Sequence, residues 1–566
     1  MTSPPQRIFP PPPMNPLPSY LRCEPGSKEI SKRKLVLFFD GTGNAFGRHL
    51  TNIVTLFSLS SEDPSKQLLY YQTGIGTTIS THESPFMPSK MLQNIGMVID
   101  AAIAWSLADH INKGYQFLMN RTSFRFREYW KGPTDANAFS SFLRATPLRR
   151  LHAGRPGASV RLLRQGRHAH GFMQIFLFGF SRGAFTARAL AGMLQQVGLL
   201  PAGNEESIPL AYSIFKKTSS QLTPTETLAA GFKRTFSREV RVHFVGVFDT
   251  VSSVGALWPR TLPFAGGSTF IKNFRQALSL DECRARYAEQ VWIPESATSS
   301  TSSSPSTPAP LDPTSCTDIR EVWFSGAHSN VGGGEFPYDG DIAPSLSHLP
   351  LRWMLREALE KGLELDSAAV ASSPLFSPFW AEARRALGKG DKADPALIAY
   401  LHTVKSVIPD VNEQVAACVF IASMPSPLST ADALAPRANH VSFAIEKRPK
   451  EVREKMGFKA RWKEWWHRYR QRIVTLGWWA LEVSPTPKVT WDAEGNSRRW
   501  SLLANFGRGR ILPRSPSLHF SVRERMSASP SAFGPGNNEN VPEGSAYHFE
   551  ARFRGREGMG SVKWME

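Results

Sequence analysis

The stretch Gly179-Phe180-Ser181-Arg182-Gly183-Ala184-Phe185 follows the apolar run Ile175-Phe176-Leu177-Phe178 and opens a segment of helical character. A serine between two glycines at a strand-to-helix turn is the layout of a nucleophile elbow. The sharp turn exposes the hydroxyl above a sheet, and the small residues keep it free of clashes. The five-residue pattern also occurs in ordinary turns, so the strand before it and the helix after it carry the reading. They predict an α/β fold whose mostly parallel sheet is flanked by helices.

Two further strand ends extend this reading. Asp249 closes Val242-His243-Phe244-Val245-Gly246-Val247-Phe248, and turn residues follow it. A carboxylate at the C-terminal edge of a buried strand lies where open α/β sheets place their chemistry, although aspartate also caps helices. His328 follows Ile319-Arg320-Glu321-Val322-Trp323-Phe324 and precedes Asn330-Val331-Gly332-Gly333-Gly334. Ser181, Asp249 and His328 stand in nucleophile, acid, base order, the chain order of the α/β-hydrolase-like class. A serine hydroxyl needs a neutral imidazole to take its proton and a carboxylate to hold the imidazole in the right tautomer. His519, in Leu518-His519-Phe520-Ser521, is the alternative base, because a triad is defined by geometry and not by distance along the chain. His110 and His243 read as structural residues.

Acyl transfer also needs donors for an oxyanion. One candidate is the backbone amide of Arg182. The other is the loop after Leu35-Val36-Leu37-Phe38-Phe39, where Asp40, Gly41 and Thr42 form an oxyanion or pocket rim, with Asp40 bonded to its own turn. A purely structural Asx turn and a phosphate or metal contact are the competing readings of that loop. It lacks the Lys and Ser/Thr of a P-loop and the third glycine of a dinucleotide fingerprint. Nothing in the sequence calls for a cofactor or a metal.

Phe39-Asp40-Gly41-Thr42, Gln72-Thr73-Gly74-Ile75-Gly76-Thr77, His110-Ile111-Asn112-Lys113-Gly114-Tyr115, Gly179 to Arg188, Phe248-Asp249-Thr250-Val251 and Gly326-Ala327-His328-Ser329-Asn330-Val331-Gly332-Gly333-Gly334 occur in this order. Together with Ala277-Leu278-Ser279-Leu280-Asp281-Glu282-Cys283-Arg284, they resemble the uncharacterised α/β-hydrolase family related to type VI secretion phospholipase effectors. The resemblance covers roughly residues 33 to 365. It implies a Ser-Asp-His esterase, with phospholipid ester cleavage in the secreted bacterial members. This chain departs from the family pattern at Asn330, where Asp is frequent, at Cys283, where Arg is frequent, and in a long insertion before the elbow strand.

That insertion, residues 120 to 172, holds ten Arg and one Lys against Glu128 and Asp135, and so supplies nine of the nineteen net positive charges. It reads as a solvent-facing insertion or a translated intron in preference to a basic arm for an anionic partner. Without it the chain is moderately basic and carries no zinc-finger, RNA-recognition or basic-zipper pattern, which disfavours nucleic acid as a partner. Residues 1–32 form a Pro-rich tail without the features of a signal peptide. No run approaches the ~18 apolar residues that cross a bilayer. Cys23, Cys283, Cys316 and Cys418 follow no ligand or disulfide spacing. These features favour an intracellular, cytoplasmic location with peripheral membrane association.

The expected organisation is a catalytic domain over residues 33–365, interrupted by the basic insertion and by a Ser/Thr/Pro loop at 296–316. A mainly helical region over 366–566 follows, either as a cap or accessory region or as the part that completes the domain. A helix is expected over Asn273 to Tyr287 with Cys283 packed on it, and another around Leu351 to Leu359. Asp281, Glu282 and Arg284 either brace the pocket or line a solvated face. Trp462-Lys463-Glu464-Trp465-Trp466-His467-Arg468-Tyr469 and Gly477-Trp478-Trp479-Ala480-Leu481 suit either an interfacial lid or a packed core. The function expected is a lipase-like or phospholipase-like serine ester hydrolase working on an ester or lipid. A catalytically silent scaffold that binds membrane or protein is the alternative. The sequence leaves oligomeric state open.

Overall fold

The computed structural model describes residues 33–41, 49–74, 96–122, 173–217, 224–251, 267–268, 270–292, 317–337, 344–435, 486–491, 498–503, 506–513, 515–528, 551–553 and 562–565. The N-terminal tail, the basic insertion from residue 123 onward, the Ser/Thr/Pro loop and the Trp462 to Leu481 cluster lie outside them.

Eight strands form one sheet: β1 (Lys34–Phe39), β3 (Gln67–Gln72), β4 (Gln174–Phe180), β5 (Val242–Phe248), β6 (Ile271–Ser279), β7 (Asp318–Phe324), β12 (Ser517–His519) and β14 (Lys563–Met565). Their spatial order is β14-β12-β7-β6-β5-β4-β1-β3. Every neighbouring pair is parallel. The remaining strands pair off outside the sheet. β2 (His49–Thr51) lies antiparallel to β8 (Gly333–Pro337), β9 (Thr486–Trp491) antiparallel to β10 (Arg498–Leu503), and β11 (Ile511–Leu512) parallel to β13 (Arg552–Phe553).

A parallel strand covered on both faces reads as an unbroken apolar run, which is why Leu35 to Phe39 is buried throughout. Leu35, Leu37 and Phe39 face a layer that includes helices Gly96–Arg121, Arg182–Val197 and Ile208–Lys217. Val36 and Phe38 face the opposite layer, with Asn52–Leu59, His348–Glu360 and Glu413–Ala422. On that side Phe38 and Phe178 stack at 5.3 Å. From β1 the chain first moves outward to β3, then returns to the other side of β1 at β4 and proceeds to the far edge. The crevice above β1 and β4 is therefore the topological switch point, where such sheets bind ligands.

The helix expected over Asn273 to Tyr287 is not formed. Residues Ile271–Ser279 are the central strand β6, and a short 3-10 turn, Ala285–Tyr287, follows. Polar residues of this strand are buried and paired. Arg275 is fully buried between Glu357 and Asp318, and Gln276 bonds Glu321 and the Gln290 carbonyl. Arg275→Met is therefore expected to cost about 3–5 kcal/mol, because it strips a partner from a buried charge pair. The urea midpoint checks this, and a loss under about 1 kcal/mol would show that Arg320, 2.8 Å from Glu357, suffices alone.

Beyond residue 366 the chain is not helical throughout. Helices Ser377–Leu387, Pro395–Val407 and Glu413–Ala422 cover the core, while β12 and β14 extend the main sheet.

Candidate active site

Ser181 lies between the last residue of β4 and the first of helix Arg182–Val197, in a backbone conformation of φ 58° and ψ −120°. Non-glycine residues pay for such a positive φ, and at functional sites the surrounding structure enforces it. Here the Ser181 amide donates to the Phe248 carbonyl at 3.0 Å, and the Phe185 amide donates to the Ser181 carbonyl at 3.3 Å. Gly183 sits so close to β1 that a Cβ would stand 2.2 Å from the Phe39 carbonyl oxygen and 2.4 Å from that of Asp40. The elbow helix thus starts directly against the end of β1, and the Arg182 amide belongs to its first turn.

Asp249 is completely buried just past β5 and also has a positive φ, 44°. Its Oδ1 accepts from the Ser279 amide at 2.9 Å and from Arg510 Nη1 at 2.5 Å. Its Oδ2 meets His328 Nδ1 at 2.6 Å, Arg510 Nη2 at 2.9 Å and the Ser279 hydroxyl at 3.3 Å. Burial alone would raise this carboxyl, but the Arg510 guanidinium and the His328 bond outweigh it and hold the group well below the usual carboxylate range.

His328 begins the short helix His328–Gly332. Its ring centroid lies 4.7 Å from that of Phe180, the residue preceding Ser181, and 4.8 Å from that of Tyr287 in an edge-on arrangement. The loop is pinned by acids. Asp281 accepts from the Gly326 amide at 2.6 Å, and Glu282 accepts from the His328 amide at 3.2 Å while pairing with Arg284. Asn330 accepts from the Ala327 amide at 3.0 Å, so an amide side chain serves the loop at this position. Asp281, Glu282 and Arg284 are therefore braces of the histidine loop and do not line a solvated face.

The structure thus brings Asp249 and His328 into direct contact and packs the imidazole on the neighbour of Ser181. With Nδ1 committed to the carboxylate, Nε2 is the nitrogen that can exchange a proton. His519 sits elsewhere. Its Nδ1 bonds the Ser521 hydroxyl at 2.8 Å, and its ring packs on Phe324 and Phe520. Burial pushes it down to about 3. His110 and His243 are both lowered to about 4 by burial, and His243 Nε2 bonds the Lys361 carbonyl.

At the rim, Asp40 accepts from the Gly41 amide at 2.7 Å, from Tyr71 at 2.8 Å and from Thr51 at 3.0 Å. Its carboxyl is raised by burial in spite of these donors. The Asp40 carboxylate thus takes the amide of the next residue, so Gly41 does not offer that N–H to an oxyanion in this conformation. Thr42 lies outside the described residues. Among the described residues there is no group of three His, Cys, Asp or Glu side chains placed to hold a metal, and no helix is long and apolar enough to cross a membrane. The residue that sequence reasoning missed is Arg510, 261 positions from its partner Asp249. Its only local signal is the preceding Gly507-Arg508-Gly509, which says nothing about Asp249.

Residues 33–357 match the family described as T6SS, Phospholipase effector Tle1-like, catalytic domain. An uncharacterised protein of Saccharomyces cerevisiae is 25% identical over 617 residues, covering 89% of this chain and 80% of that protein. A crystal structure of an uncharacterised Pseudomonas aeruginosa protein is 19% identical with a TM-score of 0.33, covering 71% of this chain and 57% of that one. The Tle1 effector bound to the VgrG spike of the type 6 secretion system is 17% identical with a TM-score of 0.24, covering 54% and 51%. The chain therefore spans little more than half the length of these two solved chains.

Proposed function

This chain belongs to the Tle1-like phospholipase effector catalytic-domain family, and we propose that it is a serine hydrolase of lipid acyl esters, phospholipids included, in which Ser181, His328 and Asp249 act as a triad. The observation that carries the reading is the buried His328–Asp249 contact of 2.6 Å beside a serine held at positive φ on a strand-to-helix elbow. Ser181 Oγ attacks the acyl carbonyl while His328 Nε2 takes its proton, and Asp249 stabilises the resulting imidazolium. The Arg182 amide, at the positive end of the elbow helix, faces the developing oxyanion. Collapse expels the alcohol, which receives the proton from His328. Water then repeats the sequence on the acyl-enzyme and releases the fatty acid.

The test is to incubate the protein with phosphatidylcholine vesicles and identify the products by mass spectrometry. Free fatty acid with lysophosphatidylcholine is the expected pair, lost in Ser181→Ala. Release of phosphocholine or phosphatidic acid instead would mean cleavage at phosphorus and would overturn acyl chemistry. A folded protein that cleaves no vesicle lipid, neutral lipid or short ester would favour the scaffold.

A further inference from the structure

The geometry points to Arg510 as a positioning residue for the triad acid: a buried cation, supplied 153 positions beyond the family-matched segment 33–357, that holds the Asp249 carboxylate charged and aimed at His328. The inference rests on the triad reading given above. Its starting point is that Asp249 has no exposed surface, and an unpaired carboxylate in such a place takes up a proton in preference to paying the cost of desolvation. Arg510 meets both oxygens, Nη1 on Oδ1 and Nη2 on Oδ2, the two-point contact by which a guanidinium fixes the plane of a carboxylate. With that plane fixed, Oδ2 is left pointing at His328 Nδ1.

Arg510 is itself anchored independently of Asp249. It donates to the Ser279 hydroxyl at 2.8 Å and to the carbonyls of Ser279 and Tyr287 at 3.2 and 2.7 Å, and its Nε lies 3.4 Å from Glu289. Among the described residues, the charged and titratable groups around this cluster are His328 on its short helix, Glu282 and Arg284 beside the histidine loop, Tyr287 against the imidazole, and Glu289 beside Arg510 Nε. Losing Arg510 would leave the fully buried Asp249 without its guanidinium partner, with His328 and Ser279 as its remaining contacts. Burial then favours protonation of the Asp249 carboxyl, and a protonated Asp249 cannot orient the Nδ1–H tautomer. Because the Asp249 carboxyl is depressed in the intact site, removal of the cause raises it. Activity should then fall away at a higher pH on the acid side.

Arg510→Met and Arg510→Lys test this, with kcat and KM for a soluble p-nitrophenyl ester measured against pH. Arg510→Met should lose kcat by about 10²-fold or more, short of the roughly 10⁴-fold cost of disabling the acid itself. KM should stay within about threefold, as expected when a group acts only on the chemical step, and the acid limb should move to higher pH. Arg510→Lys keeps the charge without the fork, so its acid limb should stay near that of the parent while kcat is lowered. It also carries the test should the methionine variant fail to fold. An unmoved limb with kcat within about threefold in Arg510→Met would overturn the inference. A second readout needs no turnover. In a Ser181→Ala background, the low-field proton resonance of the His328–Asp249 bond should be present and should vanish at a higher pH when Arg510 is methionine. A resonance that responds in this way, in a protein that cleaves no ester, would refute the hydrolase reading and leave Arg510's role standing. Normal ester cleavage with an indifferent resonance would do the opposite.

Discussion

Ser181→Ala is expected to reduce ester hydrolysis on the order of 10⁶-fold in kcat, and His328→Ala by a similar amount, because members of a triad act as one unit and removing either disables both steps. Each variant should keep its fold: Ser181→Ala removes only a hydroxyl, and after His328→Ala the Asp249 carboxylate keeps Arg510 and the Ser279 amide as partners. His519→Ala is the informative contrast. Its side chain packs on Phe324 and Phe520 and accepts from the Ser521 amide at the start of helix Phe520–Ser527, so its loss should appear as about 1–3 kcal/mol of stability with turnover largely retained. Preserved turnover in His328→Ala with loss in His519→Ala would reverse the assignment of the base.

A large effect on both stability and activity is expected at Gly183. A methyl group there would meet two backbone carbonyl oxygens, at 2.2 and 2.4 Å, and neither can swing aside as a side chain could. The start of the elbow helix would have to lift from β1 and carry Ser181 with it. Gly183→Ala should therefore cost about 3 kcal/mol or more, the upper part of the range for overpacking, and should abolish activity as well. Gly203→Ala is the control. Its φ of 83° is strained for alanine, but nothing lies within 4 Å, so a cost of about 1 kcal/mol with full activity is expected. Urea midpoints of the two variants decide it. Equal, small losses would mean that the close approach of the elbow to β1 is not maintained in solution.

The triad candidates were legible in the sequence because Ser181, Asp249 and His328 each follow an apolar run that ends in turn residues, and a parallel sheet turns such strand ends into neighbours. β4, β5 and β7 lie where those runs placed them. The bracing acids Asp281 and Glu282 could be suspected but not decided, since a buried ion network and a solvated helix face share one composition. β6 was misread for a related reason. Arg275 and Gln276 look like a polar helix face until their partners Glu357, Asp318 and Glu321 are seen, and those partners come from other elements. β12 and β14 are three residues each, too short for any periodicity to register. Arg510 was invisible because nothing local marks a cation whose role is fixed by a carboxylate 261 positions earlier. Gly41 was legible as a turn, but only the structure shows that Asp40 has taken its amide.

The central claim is that Ser181 is an activated nucleophile, and covalent capture tests it most directly. The purified full chain should be incubated with a fluorophosphonate probe, digested, and its adduct mapped by mass spectrometry beside Ser181→Ala and His328→Ala. The account predicts a single adduct on Ser181, absent from the first variant and strongly slowed in the second. A folded protein that stays unlabelled, or one labelled at another residue and indifferent to both substitutions, would contradict it.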